Sequence, residues 1–349
     1  MIADEAQAIG NPTVKSGHVV RRLKTAQRIA LTGTPMSNHL GELHTLMSWL
    51  VPGLLGSAAR FDKAFRRPIE KDGDRLRAEI LRKRIAPFLL RRTKEVVAPE
   101  LPPRTESVVT IELEGGQRAL YESVRLAMDE RIRAVVAAKG LARSHIEVLE
   151  ALTKLRLCCC DPRLVKTGDP KRHADLGSAK LDWLRESLPE LIEEGRRILL
   201  FSQFTSWLDL IEADVLKPAG ITWLRLDGST VDRDTPVQRF QRGEAPLFLL
   251  SLKAGGTGLT LTAADTVILA DPWWNPAAEA QAADRAHRIG QDKPVFVWRL
   301  VAEGTVEERI LALQARKRAI MSAMLDEQGQ SVPSFTEEDL RALLAPLPD

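Results

Sequence analysis

Asp4 and Glu5 are adjacent carboxylates close to the start of the chain. At the end of a strand such a pair could divide the splitting of a phosphoanhydride, Asp4 holding Mg²⁺ through a water and Glu5 orienting or deprotonating the attacking water. Taken alone, an Asp-Glu pair is usually a solvated turn. Far along the chain, Gln281, Arg285 and Arg288 are spaced by four and three residues, which predicts one face of a helix that starts at Ala277. A guanidinium is permanently cationic and carries a planar fork of donors, so Arg285 and Arg288 suit charge that builds on a transferring phosphoryl group. On an ordinary helix two such arginines decorate the surface. Between these ends, Gly255, Gly256 and Gly258 follow the apolar run 248–250, the pattern of a buried strand feeding a loop whose free N–H groups can approach a phosphate. Trp273 and Trp274 sit in a predicted loop between Pro272 and Asn275, where an indole could stack on a base or brace the fold. A lone histidine such as His287 more often packs or caps than acts as a base, and no chemistry is assigned to it.

Helices and strands that alternate must hold these groups in place. From residue 178 the pattern reads helix 179–194, strand 198–201, helix 207–216, strand 222–226, helix 235–241, the strand before the glycines, and strand 295–301. Such alternation predicts a parallel sheet covered on both faces. Upstream, strand 28–31 ends in Thr32, Gly33, Thr34 and Pro35, and amphipathic helices are expected over 41–50, 57–65 and 74–85. Residues 99–103 hold three prolines in five, which stiffens the chain and marks a connector. A strand over 107–113 and long helices over 117–138 and 145–158 follow, and 305–324 predicts a last long helix. With 349 residues, 44% hydrophobic residues and a net charge of +3, the chain has room for two globular domains, and a basic surface would need local clustering. Arg66 with Arg67, Arg82 to Arg84, and Arg91 with Arg92 are candidates for such a wall, although solvated helix faces are the ordinary alternative. Cys158, Cys159 and Cys160 are consecutive, which argues against a zinc site and for reduced thiols at a helix end. No apolar run reaches the ~20 residues that span a bilayer, and a secretory signal pattern is not seen, so a cytoplasmic protein without membrane contact is expected, associated with the nucleoid if bacterial.

The phrases AGGTGL (254–259), DPWWNP (271–276) and DRAHRIGQ (284–291), with DEAQ (4–7), LTGTP (31–35), FSQF (201–204) and LDGS (226–229), occur in an order and spacing that closely resemble the motifs of the Swi/Snf-related ATPases of helicase superfamily two. The resemblance covers residues 1 to about 325. It implies an α/β fold of RecA-like helicase lobes: 1–98 the remnant of a first lobe with a helical protrusion, 99–106 the connector, 107–177 a strand and the second lobe's protrusion, 178–327 a complete second lobe, and 328–349 a tail. It further implies Glu5, Arg285 and Arg288 as catalytic residues and places Asp4, Gln7, Gly256 and Gln281 at the nucleotide. Thr32, Gly33 and Thr34 would couple the lobes, and Ser202, Gln203, Ser229, Lys253, Thr257 and Trp274 would meet DNA. Hydroxyls, amides and ammonium groups at such positions fix phosphates without reading sequence. The implied ligands are ATP, Mg²⁺ and duplex DNA, and the implied activity is ATP-driven movement along the duplex with remodelling of protein–DNA contacts.

One departure stands out. The family's phosphate loop, GxxxxGK[ST], has no counterpart, since no Gly-Lys dipeptide occurs in the sequence. A lobe carrying it is expected upstream or on a separate chain, without which these residues alone should be inactive. Two rivals remain open from the sequence, a non-catalytic DNA-binding or regulatory fragment and a motor directed to RNA.

Overall fold

The structure, a computed structural model, describes residues 1–10, 15–33, 40–140, 143–166, 173–255, 258–325 and 337–347. Two compact units divide the chain, one made chiefly of Met1–Arg92, the other chiefly of Thr93–Trp274 and Ala278–Ala312.

In the first unit a parallel pair of two-residue strands, β1 (Ile2–Ala3) and β2 (Ile29–Ala30), carries the motif DEAQ at its end. Helices Gln7–Gly10 and Leu40–Leu50 pack beneath it through Ala6, Ile9, Leu46 and Trp49. A separate apolar cluster, Leu40, Leu43, Met47, Phe61, Phe65, Ile69, Leu81 and Ile85, binds the helices of the first protrusion together. Local sequence sets their ends. The Ser57 hydroxyl accepts from the Arg60 N–H, Asp74 accepts from the Arg77 N–H, and Gly73 closes Arg67–Asp72 at φ 67°, where a Cβ would be strained.

The second unit holds a six-stranded, wholly parallel sheet in the order β3 (Arg104–Ile111), β8 (Val295–Ala302), β7 (Thr266–Leu269), β4 (Ile198–Ser202), β6 (Leu247–Ser251), β5 (Trp223–Leu226). Every residue of β4, β6 and β7 is buried, as expected for strands covered on both faces. Alternate residues serve opposite faces: Leu199, Phe201, Phe248, Leu250, Val267 and Leu269 join one cluster, while Ile198, Leu200, Leu247, Leu249, Ile268 and Ala270 join the other. Helix Ala179–Glu193 starts at Ser178, whose hydroxyl accepts from the Leu181 N–H. β3 starts at Arg104, inside the stretch expected to be connector, and extends the sheet beside β8 over eight residues in register.

The order of strands creates a switch point. From β4 the chain crosses to β5 and returns to β6 on one side, then passes to β7 and β8 on the other. Ligands of open α/β sheets bind outside the carboxyl ends of strands at such a point, here where β4 and β7 lie side by side.

Candidate functional site

In the first unit β1 delivers Asp4 and Glu5 to the surface. Asp4 is exposed and its Oδ1 accepts from the Glu5 N–H at 2.9 Å. Glu5 has φ 47°, left-handed backbone that a non-glycine residue adopts at a cost, and such strain gathers at functional sites. Gln7 Nε2 donates to Glu5 Oε2 at 2.6 Å, and the Thr32 hydroxyl donates to Gln7 Oε1 at 2.6 Å. Gln7 therefore orients Glu5 and ties it to the LTGTP turn, a role that spacing alone had not suggested. Gly33 is exposed with open space above its Cα, and Thr34 lies outside the described residues. Elsewhere in this unit Arg66 pairs with Asp62 and Glu70, and Arg67 with Asp62, so these two contribute little net positive charge to a basic wall.

In the second unit the switch point is built around a residue that the sequence reading passed over. Arg156, on helix His145–Cys160, has a fully buried side chain, donating to Asp271 Oδ1 at 2.9 Å, to the Pro272 carbonyl at 2.6 Å and to Gln203 Oε1 at 2.5 Å. Its guanidinium lies between the rings of Phe204, 5.0 Å away, and Trp273, 5.6 Å away. A charge at 0% exposure is tolerable only with this degree of pairing, so the arrangement fixes the ends of β4 and β7 and aims Gln203 and the tryptophan loop. The signal was present in a lone arginine on an otherwise apolar face before CCC.

Ser202, expected at a phosphate, is fully buried here, with its hydroxyl donating to Asp271 Oδ2 at 2.5 Å at the end of β4. Gln203 is half-buried, Trp274 half-buried, and Ser229 and Lys253 exposed. Ser229 is held at the end of β5 by its N–H and hydroxyl, both donating to Asp227 Oδ1 at 2.9 and 2.6 Å. These bonds from Ser229, with Arg225 beside it, hold the Asp227 carboxyl below the usual range against the opposing effect of burial. Gly256 and Thr257 lie outside the described residues; Gly258, next to them, has φ 59°.

The helix bearing Gln281 is shorter than predicted. It runs Pro276–Ala283 and ends before Arg285 and Arg288, so the three residues do not share one helical face. Gln291 explains the stop. Its Nε2 donates to the carbonyls of Thr262, Ala264 and Ala286 at 3.1, 2.7 and 3.0 Å, and the chain unwinds into turns around it. Arg285 is buried and Arg288 exposed, yet both donate to the Leu259 carbonyl at 3.3 Å. Leu261 N–H donates to the Arg285 carbonyl at 2.9 Å. The arginine segment is thus seated on the chain that leaves the glycine turn.

Other buried charges are structural. Lys180 and Glu307, both fully buried, pair at 2.7 Å, and the ammonium also donates to the carbonyls of Ala270 and Leu300. Burial opposes the charge of Lys180, but Glu307 outweighs it and holds the ammonium above its ordinary range. At the exposed Glu106, partial burial would raise the carboxyl, while Arg104 and Arg299 bring it below the usual range. Burial pushes the Cys158 thiol up to about 12 and raises those of Cys159 and Cys160 well above the ordinary thiol range, so none is a nucleophile at neutral pH. Among the described residues no cluster of three or more ligating side chains could hold a metal, and no helix is long and apolar enough to cross a membrane.

Comparison with known proteins gives a consistent picture. The family model for the SNF2-related domain matches residues 1–164, and that for the helicase conserved C-terminal domain matches residues 179–290. The SWI2/SNF2 ATPase core domain of Sulfolobus solfataricus is 35% identical with a TM-score of 0.56, over 98% of this chain and 70% of that one. The same core in complex with dsDNA is 34% identical with a TM-score of 0.54, over 98% of this chain and 72% of that one. The human SWI/SNF-related matrix-associated actin-dependent regulator of chromatin subfamily A member 1 is 37% identical over 95% of this chain and 32% of its own length. The chain spans 32% to 36% of the length of the curated relatives it matches first.

Proposed function

The chain belongs to the SNF2-related family of ATP-dependent, helicase-like ATPases, and on that premise we propose that it forms part of a motor that couples ATP hydrolysis to movement along duplex DNA. The observation that carries this reading is the seating of Arg285 and Arg288 on Leu259. It joins, within one unit, the glycine turn that would meet a DNA phosphate to the arginines that would meet the γ-phosphate of ATP. In this reading the shared contact would pass a displacement at one to the other, as a motor requires.

In this reading Glu5 orients or deprotonates the attacking water, and its bond to Gln7 holds the carboxylate ready. An Mg²⁺ ion carried with ATP needs only one or two protein carboxylates, and the exposed hard oxygens of Asp4 fit that demand through water. When bound, the ion neutralises charge on the phosphate oxygens. Arg285 and Arg288 stabilise charge that develops during transfer. Ser229, Lys253 and Trp274 would follow the DNA backbone without reading its sequence, whereas Ser202 and Arg156 hold the strand ends that present them. The lysine of a phosphate loop would come from polypeptide outside these residues.

ATP turnover is the test. Supplied with a lobe that bears the Gly-Lys loop, by fusion or in trans, the chain should hydrolyse ATP and respond to duplex DNA far more than to duplex RNA. No ATP turnover in the completed assembly would favour the non-catalytic, DNA-binding or regulatory alternative, and a preference for RNA would change the substrate.

A further inference from the structure

The polypeptide that enters the second unit from Arg92 does not simply pass by the arginine segment. Lys94, at the start of the short helix Lys94–Val97, donates through Nζ to the His287 carbonyl at 2.6 Å and lies 2.7 Å from Asp284 Oδ1. His287 Nε2 bonds the Pro102 carbonyl at 2.8 Å. Arg104 donates to the same Asp284 oxygen at 2.9 Å, and beyond it a line of charges runs through Glu106, Arg299 and Glu279 to the Trp273 N–H. The stretch from Lys94 through the connector to Arg104 is therefore stitched to the turns around Arg285 and Arg288 by four contacts, two on His287 and two on Asp284.

We propose that Lys94, Asp284 and His287 form a clasp fastening the connector to the arginine segment, and that they are positioning residues for Arg285 and Arg288. Energetics favour a positional role over a stabilising one. Lys94 and Asp284 are each more than a third exposed, at 38% and 40%, and ion pairs of that exposure add little to stability. Yet their bonds land beside residues 285 and 288, which helix geometry does not hold because the helix has already ended at Ala283. The backbone between the arginines is thus tied by Leu261 at the Arg285 carbonyl and by Gln291 at the Ala286 carbonyl, and the clasp adds a second set of bonds at Asp284 and His287. This proposal rests on the finger role given to Arg285 and Arg288 above.

The experiment compares Lys94→Ala, His287→Ala and His287→Gln with Arg288→Ala. In the chain itself, hydrogen exchange at residues 284–288 should rise in Lys94→Ala and His287→Ala, while strand 198–202 stays protected and the melting temperature is unchanged. In the chain supplied with a phosphate-loop lobe, the same two variants should lower kcat by about 10- to 100-fold, the cost of a misplaced catalytic group, with KM for ATP and duplex affinity retained. His287→Gln keeps an N–H able to reach Pro102 and should recover most of the rate. Unchanged exchange and unchanged kcat in Lys94→Ala, with Arg288→Ala still impaired, would overturn the clasp alone. An Arg288→Ala variant at full rate would instead overturn the finger role on which it rests.

Discussion

The two units carry their functional residues on sheets of very different construction. In the first, Asp4 and Glu5 leave one of two paired two-residue strands whose isoleucines remain largely open, Ile2 at 65% and Ile29 at 52% exposed. In the second, Gln203, Lys253 and Trp274 leave strands that are buried throughout and braced on both faces. The first site is therefore held by local devices: the left-handed turn at Glu5 and the chain of bonds through Gln7 to Thr32. The second is held by a core and by a buried ion pair, Arg156 with Asp271. Chemistry in the first unit should accordingly depend on a few hydrogen bonds, and binding in the second on the integrity of a whole sheet.

The largest effect should come from Arg288. In the presence of a phosphate-loop lobe, Arg288→Ala should lower DNA-stimulated turnover by ~10³ or more, and Arg288→Lys should not restore it, because a point charge lacks the bidentate fork. Near-normal turnover in the lysine variant would detach the second unit from the chemistry. Next in size is the core of the second sheet. Leu249→Ala should cost ~2–5 kcal/mol by denaturant unfolding, while Ile29→Ser on the exposed strand of the first unit should stay within ~0.5 kcal/mol. Equal costs would erase the mechanical difference between the units.

A smaller effect should appear with acid. The Asp227 and Glu106 carboxyls both sit below their ordinary range when folded. Each therefore adds stability above the unfolded value, and that stability is lost as pH falls through the folded one. The denaturant midpoint of the second unit should drop between about pH 5 and pH 3, and less so in Asp227→Asn. A variant that loses as much as the parent would remove Asp227 as a cause.

Much of this architecture was legible in the chain. Parallel strands buried on both faces announce themselves as apolar runs, and the helices expected from 57, 74 and 179 start where Ser57, Asp74 and Ser178 cap them. Helical spacing misled at Arg285 and Arg288, because tertiary bonds from Gln291 outweigh the local preference of an alanine-rich segment. Sequence position placed Ser202 at a strand end but could not give the direction of its hydroxyl, which is turned to Asp271. Arg156 stood out only as a lone arginine on an apolar face, and neither its pairing with Asp271 nor that of Lys94 with His287, each more than a hundred residues away, is encoded in a local pattern. Thr34, Gly256 and Thr257 lie outside the described residues, so their roles stand as read from the sequence.

The central claim, that the carboxyl edge of the second sheet follows a DNA backbone, is tested most directly by the salt dependence of duplex binding by this chain. Affinity measured for two unrelated duplex sequences over a range of salt should fall steeply and alike for both. Lys253→Ala, whose ammonium is exposed at the end of β6, should reduce the slope of log affinity against log salt by about one. A slope and affinity unchanged in Lys253→Ala, or a strong preference for one sequence, would contradict the account.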